Sequence, residues 1–153
     1  MLVRVAEESF DKGVAALGDG RQHEALAFFE AAIELECKYG TGKPQARYLS
    51  HYGLCLGLAG RRKHEAVKFC REAVAMEGYN PDLLWNLGRA LLIADLRREA
   101  YAAFVKGLRL EPGHKGIIQD LKAMGLRKRP PLPFLDRSNP INVLLGRIRS
   151  NGS

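Results

Sequence analysis

Residues 80–113 read NPDLLWNLGRALLIADLRREAYAAFVKGLRLEPG, and their spacing decides the fold class. Leu84, Leu87 and Leu91 recur at helical intervals, and after Asp95-Leu96 the period resumes with Ala100, Phe104 and Leu108. Asn80-Pro81 supplies a cap followed by proline at the first helical position, and Pro112-Gly113 stops the second helix. The stretch therefore predicts two helices, about 81–94 and 97–110, joined by a tight turn.

The same arrangement occurs twice more upstream. His23-Glu24-Ala25, His64-Glu65-Ala66 and Arg98-Glu99-Ala100 each follow a turn signal: Gly20-Arg21, Gly60-Arg61 and Asp95-Leu96. Ahead of each lies a glycine within an apolar-periodic stretch: Gly13, Gly53 and Gly88. A period near 34 residues with one longer connection implies a helical-hairpin repeat. Further helix pairs are expected at about 6–18 with 22–36 and 45–59 with 62–77. A last amphipathic stretch, 114–124, carries Ile117, Ile118, Leu121 and Met124 on one side, suited to covering the end of an array.

These residues resemble the tetratricopeptide repeat family over about 6–125. The third unit matches best, through Leu87-Gly88, Ala100, Phe104, Gly107 and Pro112. The first offers Gly13, Gly20, Ala25, Phe29 and Ala32, with Lys12 at a usual leucine site and Cys37 where proline is common. The second offers Leu49, Gly53, Leu56, Gly60, Ala66 and Ala73, with an extra turn residue, Gly78 near a helix end, and Cys70 at an aromatic site. The resemblance implies an all-α, right-handed solenoid of three hairpins with a capping helix, whose concave face binds peptides. The family's groove positions carry over to Phe10, Val14 and Leu17, then His51, Leu54 and Leu58, then Trp85, Asn86, Arg89 and Leu92.

That lining is mostly apolar, with one fixed cation, which argues against a clamp for C-terminal carboxylates. Trp85 is the single tryptophan. It reads either as a binding anchor, since tryptophan is enriched at hot spots, or as packing between units.

Nothing points to catalysis, metal or cofactor. His23 and His64 occupy the same place in successive units, so they belong to the repeat. None of the four histidines has a partner at metal-ligand spacing, and no glycine-rich phosphate loop follows a strand. Cys37, Cys55 and Cys70 are an odd set without a Cys-x-x-Cys pair, which speaks against a disulfide framework or zinc site. With no apolar run of membrane-spanning length and no signal-peptide core, a cytoplasmic protein is expected.

After Leu126 the composition changes. Arg127-Lys128-Arg129 leads into Pro130-Pro131-Leu132-Pro133-Phe134-Leu135, which reads as extended. Ser138-Asn139-Pro140 then starts a short helix with Ile141, Leu144, Leu145 and Ile148 on one face. These six apolar residues (Phe134, Leu135, Ile141, Leu144, Leu145, Ile148) pack back on the solenoid or engage another subunit or partner, so self-association through the tail stays open. The spacing Arg127-x-x-Pro130-x-x-Pro133 also fits a ligand of polyproline-groove domains.

The 153-residue chain carries 24 Lys and Arg against 17 Asp and Glu, a net +7. Residues 1–126 hold 18 basic and 16 acidic groups, and 127–153 hold 6 and 1. A nearly balanced body disfavours a nucleic-acid groove, so any acidic surface would be met by the tail. The reading is a non-enzymatic adaptor that binds a peptide or helical segment of a protein partner. A chaperone-like holder of a client protein is the alternative, and tail-mediated binding to nucleic acid or another acidic surface the third.

Overall fold

A computed structural model of the chain describes residues 2–60 and 62–125. The expected tail contacts Phe134, Leu135, Ile141, Leu144, Leu145 and Ile148, and the division at 126/127, lie outside the described residues. Among the described residues there are seven α-helices and no strand: α1 Leu2–Gly18, α2 Gln22–Tyr39, α3 Ala46–Leu58, α4 Lys63–Met76, α5 Pro81–Ile93, α6 Arg97–Leu110 and α7 Lys115–Ala123. Consecutive helices pair as hairpins, α1 with α2, α3 with α4 and α5 with α6.

Local chemistry accounts for the boundaries. Asn80 caps α5 by accepting from the Asp82 amide at 3.0 Å, with Pro81 at the first helical position. His114 caps α7 through Nδ1, which accepts from the Ile117 amide at 3.1 Å. Each hairpin turn passes through one left-handed residue seven positions after the repeat glycine: Gly20 (φ 77°), Gly60 (φ 74°) and Asp95 (φ 62°). In the first and third turns the chain closes with a six-residue bond, Arg21 amide to Ala16 carbonyl and Leu96 amide to Leu91 carbonyl. The extra residue of the second turn is absorbed by a second left-handed position, Arg62 at φ 48°.

The hairpins close at their repeat glycines. A methyl at Gly13 would lie 2.6 Å from the Phe29 ring, and one at Gly88 would overlap Phe104. In the second hairpin Cys70 replaces the aromatic, and Gly53 instead faces the Ala66 carbonyl, 2.8 Å from an added methyl. The smaller thiol lets the backbones themselves come together. Phe29, Phe104, Ala25, Ala66 and Ala100 are all fully buried in these seams.

Hairpins stack through the first helix of the following unit: α3 lies against α2 and touches α1, α5 lies against α3 and α4, and α7 follows against α5 and α6. Each second helix also touches the next first helix, α2 with α3 and α4 with α5. Among the described residues, the backbones of successive second helices do not approach one another.

Candidate functional site: the face of the first helices

Superimposing the repeats on Gly13, Gly53 and Gly88 puts equivalent residues in rows across α1, α3 and α5. Six positions before the glycine stand Glu7, Arg47 and Asp82, and one position after it stand Val14, Leu54 and Arg89. Such rows follow from helix pairs repeated at near-constant length, and they define the face on which a ligand would cross the repeats.

The expected lining residues divide into two groups. Val14 is 42% exposed, and Leu17, His51, Leu58, Trp85, Arg89 and Leu92 are partly exposed. Phe10, Leu54 and Asn86 are buried, 6%, 1% and 3% exposed, and are interior rather than lining groups. The cause is position. α3 is flanked on both sides, so Leu54 is enclosed, while the Asn86 amide donates to the buried Ser50 hydroxyl at 3.0 Å. Phe10 packs against Phe29, Tyr48 and His51 at centroid distances of 5.6, 4.8 and 5.1 Å.

Polar links tie neighbouring first helices together on this face. Arg47 of α3 pairs with Glu7 of α1, and the Tyr48 hydroxyl donates to the same carboxylate at 2.9 Å. The Arg47 guanidinium also lies over the Phe10 and Tyr48 rings, 5.0 and 5.2 Å from their centroids. Burial pushes the Glu7 carboxyl up, but the bonds from Arg47 and Tyr48 and the Arg47 charge outweigh it, so its pKa falls below the usual value. Burial together with the Glu7 bond and charge raises the Tyr48 phenol to about 12.

At the other end Trp85 anchors the last helix. Its indole N–H donates to Asp120 of α7 at 2.6 Å, and its ring fills the space where Gly116 lacks a side chain. His114 meets the ring edge-on at 5.3 Å, and its Nε2–H donates to Asp82 at 2.8 Å. Arg89 lies 5.3 Å over the indole and 3.9 Å from Asp120. Trp85 thus packs α5 against α7 while its ring stays partly exposed.

His51 stands between these groups. Its Nδ1 donates to the Arg47 carbonyl at 2.9 Å, and its ring packs on Phe10 and Phe29. Burial lowers its pKa below 6.5, and the charges of Arg47 and Arg89 add to that. The face thus combines accessible apolar groups, Val14 exposed and Leu17 partly so toward one end, with two guanidiniums held on aromatic rings. Among the described residues no three His, Cys, Asp or Glu side chains are grouped to hold a metal, and no helix is long and apolar enough to cross a membrane.

Glu7, Arg47, Asp82 and Asp120 were absent from the expected lining. The signal for the first three was present, because they share one register position, but their pairing across helices is invisible in a single repeat.

No family model matches the sequence, and no curated protein matches it. Among solved structures the chain is similar to an Arabidopsis OM64 TPR domain, at 21% identity over 99% of each chain, with a TM-score of 0.62. That likeness shows the fold: an all-α helical-repeat solenoid of the tetratricopeptide type.

Proposed function

We propose, from a tetratricopeptide-repeat fold with a mixed apolar and basic face, that the chain is a non-enzymatic interaction module holding a segment of a partner protein across α1, α3 and α5. The observation that carries this is the set of apolar side chains left accessible on those helices, Val14 at 42% exposure and Leu17, Leu58 and Leu92 in part. Accessible apolar groups held on three packed helices supply contact area at a small ordering cost in the receptor. Arg47 and Arg89, fixed over aromatic rings, favour a segment that brings carboxylate or carbonyl oxygens to the same line. Stacked and paired guanidiniums are pre-positioned, so they add direction to a contact that the leucines make adhesive.

The test is affinity capture with the full chain, followed by calorimetry on the recovered partner. Val14→Asp and Arg89→Ala, each shown folded by circular dichroism, are expected to weaken binding at least tenfold. Unchanged affinity in both variants would mean that the partner docks elsewhere.

A further inference from the structure

On the opposite side of the molecule a slot of about 310 Å³ opens between α4 and α6. Its floor is Leu84, Leu87 and Leu91 of α5, and its rims carry Arg71 of α4 with Glu99 and Lys106 of α6. The backbones of α4 and α6 do not approach, and the Arg71–Glu99 ion pair bridges the gap. An apolar floor of this kind, open to water, asks for an occupant.

The chain itself offers one within reach of the slot. Gly125, left-handed at φ 61°, ends α7, and Arg97 in the first turn of α6 donates to the Met124 carbonyl at 3.0 Å. The described chain therefore ends at Gly125 beside the first turn of α6, across that helix from the Glu99 side that faces the slot. From Glu99 to Lys106 the slot is about 10 Å long at 1.5 Å per residue. Four extended residues at ~3.1 Å each match that length. Residues 126–131 reach about 19 Å on the same measure, enough to pass over one helix about 10–12 Å across. The next four residues are Leu132, Pro133, Phe134 and Leu135, followed by Asp136, the single acid of 127–153. Pro131 and Pro133 have no N–H, so an apolar slot strands no donor of theirs. Lys106, exposed at the far end, has no ion pair among the described residues.

We propose that the slot between α4 and α6 is the seat of this chain's own segment Leu132–Leu135, bound in cis, with Asp136 meeting Lys106. The slot is then a filled seam that fixes α6 against α4, separate from the face of the first helices.

Directed cross-linking of the full chain tests this. Ala102 on the slot rim is exposed, so Ala102→Cys leaves the core untouched, and Pro133→Cys keeps all three apolar anchors. Cys37→Ser removes the one exposed native thiol. Under oxidised glutathione an intrachain disulfide at monomer mass is expected at least tenfold faster than in the control pairing Ala27→Cys with Pro133→Cys. Lys106→Asp should slow it, and adding Asp136→Lys should restore it. Equal rates for the two pairs overturn the proposal. So does a principal product at dimer mass, which would place a second copy in the slot.

Discussion

Trp85 on α5 and Asp120 on α7 are joined by an indole N–H to carboxylate hydrogen bond of 2.6 Å, made while the ring lies in the space left by Gly116. Donor, acceptor and gap come from three positions within 35 residues, and together they hold the last helix on the array. Trp85→Phe keeps most of the ring and removes the N–H, leaving Asp120 with Arg89 as its nearest cation. A loss of about 1–2 kcal/mol in urea unfolding is expected. Gly116→Ala should cost more, because nothing but the indole can move. If Trp85→Phe unfolds at the wild-type midpoint, the bond contributes nothing.

Glycines at seams and glycines at ends should respond oppositely. Gly88→Ala drives a methyl into the Phe104 ring and is expected to destabilise by about 1–3 kcal/mol. Gly18, the last residue of α1, has nothing within 4 Å of an added methyl and no positive φ. Gly18→Ala should therefore stabilise by about 0.4–1 kcal/mol through the unfolded chain. Thermal melts of the two variants side by side decide the matter.

Asp95 holds a left-handed conformation that Gly20 and Gly60 adopt in the equivalent turns. A side chain in that region carries a conformational cost that glycine does not. Asp95→Gly is expected to raise stability by about 0.5–1 kcal/mol, with the turn geometry unchanged. A measured loss would show that the aspartate makes a compensating contact in solution.

The three thiols should separate by reactivity. Burial raises Cys55 to about 11 and Cys70 to about 12, while Cys37 is exposed. At pH 8 a disulfide reagent is expected to titrate one thiol in the native chain and three after denaturation. Two fast thiols in the native state would mean that one of the seams opens readily.

Stability should weaken on mild acidification through His51. Its folded pKa lies below 6.5, mainly through burial, so the unfolded chain binds the proton more readily. Its contribution is intact above pH 6.5, declines as pH falls below that, and is gone once pH passes the folded value. Glu7, also depressed, acts in the same direction at lower pH, below the ordinary carboxylate value of 4.5. His51→Gln should flatten the first part of the profile, read as urea midpoints between pH 7 and 5. An unaltered slope assigns the loss to other groups.

Helix positions were legible in the sequence because their stops are local. Asn80-Pro81 and Pro112-Gly113 place α5 and α6 within a residue of their observed ends. Where no stop is written, the reading fell short: α2 runs past Cys37 to Tyr39 because the first breaker is Gly40, and α1 begins at Leu2. The candidate face was less legible, for a different reason. Burial of Leu54 and Asn86 depends on how closely α3 is flanked, and the Ser50–Asn86 bond spans 36 residues. Trp85 illustrates the same limit. Its helix position was plain, but its partner Asp120 and the gap at Gly116 belong to another helix.

The separation of α2, α4 and α6 from one another has a mechanical consequence. The first helices form the spine of a fan, and the second helices are its ribs, each packed on its own first helix and on the next, with a slot between α4 and α6. Bending between the second and third hairpins changes the width of that slot without shearing any packing between the α4 and α6 backbones. An occupant of that slot would therefore bear on the angle between α4 and α6, and through α5 on the side chains that the first helices display.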